Sequence, residues 1–242
     1  MFSKDNVIEF KADKFFIENN KDIYPVPSLL NIPEWFKKLK HSKENSTVKG
    51  CMPFLDAITA GYIIKNSSDF ILHKEGKKTY IEYALKENNT FYNINAANNH
   101  SEHNNSQLEG SPLIKKNKMD SFLKIYNPWV IKTPPGYSSL FVNPLNNSDD
   151  RFEAIAGIVD TDVFPAQVNF PIVLNSDKYP NDFKHFVKRG TPIVQVIPFK
   201  RENWKMKIVE DKIFNLIKFM TVWHQSFMAR YKDRIWKRKK WR

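Results

Sequence analysis

The amino-acid sequence predicts a mainly β protein of the α+β class that ends in a long basic helix. Two patterns carry this. Between Phe122 and Val209, short runs of β-branched and aromatic residues follow one another with turn signals between them, the spacing of a barrel or sandwich. After Asp211, apolar residues recur every three or four positions (Ile213, Leu216, Ile217, Met220, Trp223, Phe227, Tyr231, Ile235), the stripe of an amphipathic helix. The 242 residues are 41% apolar and 14% aromatic, enough to fill a large core and to exclude global disorder.

Taken in order, Val7 to Phe10 alternates as a strand. Pro25, Pro27 and Pro33 keep the next stretch extended, and Pro33 opens a short helix to Leu39. A second helix is expected from Pro53 to about Ile64, where Phe54, Leu55, Ile58 and Tyr62 share a face. A hairpin follows: Phe70–His73, a turn at Glu75-Gly76-Lys77, then Thr79–Tyr83. Residues 87–110 are dense in Asn, Ser and His and read as an exposed polar insertion.

The strands expected next are Leu123–Tyr126, Trp129–Lys132, Ser139–Val142, Phe152–Ala156, Val168–Leu174, Phe186–Lys188, Ile193–Phe199 and Lys205–Val209. Asp211 would cap the final helix. The chain thus divides into an N-terminal helix-and-hairpin elaboration (1–120), a β core (121–209) and a C-terminal helix (210–242).

Several function classes fall away at this level. A lone Cys51 excludes an internal disulfide and any Cys-based zinc cluster. The N-terminus lacks the apolar stretch of a signal peptide, and no apolar run approaches the ~18 residues of a membrane span. The Asn-x-Ser/Thr triplets, such as Asn66-Ser67-Ser68, then read as chance in an Asn-rich chain. A reducing cytoplasm is expected. The six His are scattered, without a His-Glu-x-x-His helix or a His/carboxylate facial triad, so no metal site is assigned; His100 and His103 read as solvated loop residues. No phosphate-cradling glycine motif and no nucleophile elbow occurs.

Three constellations remain. Asp160 and Asp162, two apart, would face the same side of a strand and could share a metal or raise each other's pKa. In a turn they would instead hold local backbone amides. Gln195 interrupts the apolar strand Ile193–Ile197, either as a ligand group or as a half-buried amide with backbone partners. The tail is the strongest interaction signal. From Ala229 to Arg242 it carries eight basic residues against one acid, a net +7 of the chain's +12. Arg230, Arg234, Lys237, Arg238, Lys239, Lys240 and Arg242 interleave with Tyr231, Trp236 and Trp241, which suits nucleic-acid phosphates and base stacking, or an anionic membrane surface. The alternative is that the aromatics pack on the body while the cations are solvated or meet a protein partner. Asp56, on an apolar helix, would be costly if buried unpaired.

The central region read as one string carries a resemblance. Gly136-Tyr137-Ser138-Ser139 precedes Gly157-Ile158-Val159-Asp160-Thr161-Asp162, and Gly190-Thr191-Pro192-Ile193-Val194-Gln195-Val196-Ile197 follows. Order and spacing resemble the trimeric dUTPase / dCTP deaminase group over roughly residues 125–200. That resemblance implies a dUTPase-like, β-clip-type barrel and a homotrimer, with Asp160 orienting a water, Ser138 and Ser139 in the phosphate-binding turn, and Gln195 facing the phosphates. The sequence departs from the group at each catalytic element: the turn lacks its Arg, Val163-Phe164-Pro165 replaces Tyr-x-Gly, and no Gly follows Gly190 to build a phosphate-covering arm.

The whole chain also resembles a protein family of tailed bacteriophages, marine ones in particular, with no assigned activity. Cys51–Asp56, Pro128–Tyr137 and Gln195–Arg201 carry that likeness. Together these imply a phage-encoded, non-catalytic binding or assembly protein in the host cytoplasm or the virion. It would need no cofactor and would partner with itself, with a phage or host protein, or through its tail with nucleic acid. The rivals are a deoxynucleoside triphosphate hydrolase or deaminase using Asp160 and Asp162 with Mg²⁺, and a nucleic-acid-binding accessory protein.

Overall fold

The computed structural model describes residues 6–42, 44–83, 102–209 and 231–242. The protein is mainly β, built from several antiparallel sheets with short helices between them. In chain order the elements are β1 (Glu9–Lys11), α1 (Lys14–Asn19), β2 (Val26–Pro27), α2 (Glu34–Lys38), α3 (Met52–Thr59), β3 (Tyr62–Lys65), β4 (Phe70–Glu75) and β5 (Lys78–Tyr83). They continue with β6 (His103–Asn104), α4 (Pro112–Asn117), β7 (Ser121–Ile125), β8 (Val130–Lys132), β9 (Tyr137–Val142) and β10 (Phe152–Ala154). The last are β11 (Gly157–Val159), β12 (Phe170–Leu174), β13 (Phe183–Val187) and β14 (Pro192–Lys200).

A five-stranded sheet runs β11-β9-β14-β3-β2 and a four-stranded one β10-β12-β7-β6. A three-stranded sheet, β13-β4-β5, and the pair β1-β8 complete the set. β14 is the spine of the largest sheet. It pairs along one edge with β9, from Gln195↔Val142 to Lys200↔Tyr137, and along the other with β3, Gln195↔Ile63 among the pairs. Its central run, Ile193 to Val196, is fully buried, as a strand covered on both faces must be.

These ladders cross residue 120. β1 pairs with β8, β3 with β14 and β4 with β13, so strands from the N-terminal third complete sheets begun by the central region. The core is shared in the same way. Phe16, Ile23, Ile64, Phe70 and Leu72 join Ile125, Trp129, Phe141, Ile172 and Val194 in one cluster. Trp129 receives the edges of Phe16 and Tyr24, with centroids 5.4 and 5.7 Å away. Arg189 adds a polar bolt: its Nε and Nη2 donate to the two carboxylate oxygens of Asp22, each at 2.8 Å, and Nη2 also donates to Asn20. That guanidinium holds the Asp22 carboxyl below the usual range. The expected N-terminal elaboration is therefore part of the central fold.

The helix expected to reach Ile64 ends at Thr59. Gly61, at φ +61°, reverses the chain into β3, and Tyr62, expected on the helix face, is a strand residue. A Cβ at Gly61 would lie 1.9 Å from the Val196 carbonyl oxygen, so only glycine permits this strand to lie beside β14. The β4–β5 hairpin forms around the expected turn, with Gly76 at φ +59°. Strand β13 starts at Phe183, three residues before the expected Phe186.

Lys205–Val209, expected as a strand, pairs with nothing among the described residues. Two helices that the apolar pattern missed, α1 and α4, are each six residues long and begin at side-chain caps, Asp13 onto Phe16 N and Ser111 onto Leu113 N. Most of the expected polar insertion and of the final helix lies outside the described residues. Of that helix, Tyr231–Ile235 is described, a single π-helical turn closed by Trp236 N–H donating to Tyr231 O at 2.7 Å.

Candidate functional site

Asp160 and Asp162 do not lie in a strand. β11 ends at Val159, and the chain turns: Val163 and Phe164 N–H both return to Asp160 O, at 3.1 and 2.9 Å. Beneath the turn lies a buried hydroxyl chain. Thr161, fully buried, bonds Thr133 Oγ1 at 2.8 Å and Ser139 Oγ at 2.9 Å. Ser139 is thus enclosed and spent on structure.

Both carboxylates meet one cation that the sequence did not single out. Arg201, one residue beyond β14, donates from Nη1 to Asp162 Oδ1 at 2.9 Å and from Nη2 to Asp162 Oδ2, a bidentate fork. The same Nη1 reaches Asp160 Oδ1 at 3.3 Å, Ser138 Oγ at 3.1 Å and Tyr137 O at 2.9 Å. Asp162 Oδ2 also accepts the Gly136 amide at 2.9 Å, and Asp160 Oδ1 accepts the Ser138 hydroxyl at 2.6 Å. The Arg201 fork, seconded by the Gly136 amide, pulls the Asp162 carboxyl down to about 2. Its side chain is 6% exposed, against 59% for Asp160.

Arg201 cannot be found by local pattern, because it lies 39 and 41 residues from its partners. The arrangement sets one guanidinium against two carboxylates, forked onto Asp162 and in single contact with Asp160. A general base is best matched by a carboxyl poised near neutrality, and the Asp162 carboxyl is held far below that.

Gln195 lies apart from this cluster. Buried at 1% exposure, it accepts the Leu145 amide at 2.8 Å on Oε1 and donates from Nε2 to Ala57 O (3.0 Å) and Ala60 O (2.6 Å). The two carbonyls belong to the C-terminal turn of α3, which the backbone leaves short of donors. Gln195 therefore caps a helix and ties it to β14 and to the loop after β9.

The tail is seated on the body. Asp56 Oδ2, on α3, accepts Trp236 Nε1 at 2.9 Å and Lys239 Nζ at 2.5 Å. Tyr62 donates its hydroxyl to Arg242 O at 3.1 Å and meets the Trp241 ring edge-on at 6.3 Å. Asp56 thus has two donors. Trp236 and Trp241 are half-buried, while Arg234, Lys237, Arg238, Lys240 and Arg242 are exposed. Arg230 lies outside the described residues.

Trp241 separates two grooves of 480 and 460 Å³. One is walled by Tyr62, Tyr137 and Pro134, the other by Leu29, Leu55 and Asp56. Lys240 and Arg242 border both.

His103, expected as a solvated loop residue, stacks on Phe122 at 4.9 Å and bonds Gln107, while His100 lies outside the described residues. Among the described residues no group of three His, Cys, Asp or Glu comes together to hold a metal ion, and no helix is long and apolar enough to cross a membrane. Comparison with protein-family models, with curated proteins and with solved structures finds no match to this chain.

Proposed function

We propose that this is a phage-encoded, non-catalytic binding or assembly protein on a dUTPase-like β scaffold, presenting its basic tail to an anionic partner. The observation that carries the reading is the Arg201 clamp. Of the aspartates through which the dUTPase resemblance would run catalysis, Asp162 is held by a bidentate guanidinium and a backbone amide, and Asp160 is tied on one oxygen to the same guanidinium and a serine hydroxyl. Gln195, the third member of that resemblance, gives both amide donors and a lone pair of its oxygen to the backbone groups named above. What such a chain has left to offer a partner is surface.

The surface reading favours nucleic acid among anionic partners. The tail's tryptophans anchor it to α3 and β3, which holds Arg238, Lys240 and Arg242 beside aromatic groove walls, with Lys237 exposed next to Trp236. Four such cations on a single strand give a log–log salt slope near −3. Affinity would then fall about 50-fold between 50 and 200 mM salt.

Two assays test the proposal. Incubation with a panel of deoxynucleoside triphosphates and Mg²⁺ is expected to give no turnover; turnover that disappears in Asp160→Asn would establish the hydrolase reading instead. Fluorescence anisotropy with labelled single-stranded DNA is expected to show salt-dependent binding that is lost when Lys237, Arg238, Lys240 and Arg242 become Ala. Binding that survives those four substitutions would remove the tail from the account.

A further inference from the structure

A second cationic surface lies beside the helix on which the tail is seated. Between Glu34 and Lys49 the chain carries five Lys against two Glu, a net +3. Lys37, Lys38, Lys40, His41 and Lys49 line one groove, and all five are exposed. Lys37 is taken up by Glu34 at 2.6 Å, whereas Lys38, Lys40 and Lys49 meet no carboxylate among the described residues.

The groove is held in shape by its own hydrogen bonds. Thr47 Oγ1 donates to Lys40 O at 3.2 Å, Ser42 N–H to Asn45 O at 3.1 Å, and Lys49 Nζ to Lys37 O at 2.8 Å. Thr47 N–H donates to His41 Nδ1 at 3.0 Å, which leaves the ring hydrogen on Nε2. That Nε2–H has no acceptor among the described residues. The ring lies against Gly50, where a Cβ would stand 2.4 Å from His41 Cε1, so this turn admits the imidazole only with a glycine beneath it.

α3 joins the groove to the tail. The turn Val48–Gly50 leads into α3, and Phe36 of α2 stacks on Phe54 of α3 at 5.8 Å. Asp56, further along α3, holds Trp236 and Lys239. The two cationic groups thus flank one eight-residue helix, about 12 Å long. Trp35, 43% exposed, and Lys38 are three positions apart on α2 and share a face, an open ring beside a free charge. The carboxylates of the region are answered within the protein: Glu34 by Lys37, Glu44 by the Ser42 hydroxyl and Asp56 by the tail. What faces outward is cation and aromatic ring, the pairing that suits a nucleic-acid strand.

We propose that Lys38, Lys40, Lys49 and the His41 Nε2–H form a second phosphate-binding site, into which a single nucleic-acid strand held by the tail continues across α3. Trp35 offers its face to a base of that strand. This site rests on the nucleic-acid reading of the tail and lengthens its footprint. Three more phosphate contacts take the single-strand salt slope from about −3 for the tail alone to about −5.

Fluorescence anisotropy of labelled oligothymidylates over a salt series, with the full chain, tests the site. The wild type should give a slope of about −5, and the triple variant Lys38→Ala, Lys40→Ala, Lys49→Ala about −3. Affinity should rise between strands of about 4 and about 16 nucleotides, the range of common single-strand site sizes, and the triple variant should lose that rise. Gly50→Ala pushes out only an exposed side-chain ring; it should weaken binding about two- to tenfold at an unchanged slope, because the donor it removes is uncharged. A triple variant that keeps the wild-type slope and length dependence overturns the second site and leaves the tail reading intact. Binding that is absent from the wild type, or indifferent to the four tail substitutions, overturns both. Cosedimentation with phosphatidylserine vesicles that needs these three lysines, without DNA binding, overturns the site in favour of a membrane contact.

Discussion

Replacing Gln195 by Leu separates the structural role of this residue from a ligand-binding one. The substitution keeps the volume of a side chain that is 1% exposed and removes three hydrogen bonds. The partners left behind are not equivalent. Ala60 O still accepts the Ser28 hydroxyl at 2.8 Å, and Ala57 O still accepts the Ala60 amide at 3.4 Å. Each of those lost bonds should cost about 0.5–1.5 kcal/mol. The Leu145 amide loses the partner that Gln195 gave it and bears a desolvation cost of about 1–3 kcal/mol.

The sum centres at about 4 kcal/mol, and for a chain of this size it lowers the melting temperature by roughly 8–16 °C. Urea denaturation should show a lower midpoint at an unchanged slope, the mark of lost stability without a change in the surface exposed. Gln195→Glu keeps the acceptor but turns an oxygen toward two carbonyls, so it should lose more at neutral pH and recover part of the loss on acidification. A loss below about 1 kcal/mol for Gln195→Leu would refute the helix-capping role and return Gln195 to the candidate ligand groups.

Three further outcomes follow from the geometry. The Asp162 carboxyl, held near 2 in the folded state against 3.8 in the unfolded chain, contributes stability that is present above pH 4. That contribution drains away as pH falls toward 2; acid titration of the unfolding free energy should show the difference between wild type and Asp162→Asn closing through this window. Gly61→Ala forces a side chain into the left-handed region and against Val196 O, so it should destabilise by at least about 2 kcal/mol, read by thermal unfolding. Asp56→Ala removes the carboxylate under Trp236 and Lys239. It should leave the unfolding midpoint within about 1 kcal/mol of wild type while speeding tryptic cleavage at Lys237–Lys240.

Local patterns account for much of the β architecture. The β4–β5 hairpin was legible because Gly76 supplies a left-handed turn residue between two runs of β-branched and aromatic residues. β8, β9, β12 and β14 were legible because buried strands are written as short apolar runs. Boundaries failed where packing overrode periodicity. Tyr62 continues a helical stripe, but the close approach of Gly61 to Val196 puts it in a strand. Lys205–Val209 alternates as a strand should, yet alternation states only what a segment can do if an edge is available to it.

What the sequence by itself determined is therefore the β class, the hairpin, the buried character of β14 and the concentration of positive charge in the tail. Each is a property of neighbouring residues and needs no distant partner. Only the tertiary structure decided what the polar residues do. Asp162 became the seat of a guanidinium fork, with Asp160 beside it, because β14 delivers Arg201 to them from 39 and 41 residues away. Gln195 became a helix cap because α3 ends against β14, and Asp56 became the seat of a tail 180 residues further on. A carboxylate or an amide takes its role from the group that answers it, and that group is chosen by the fold.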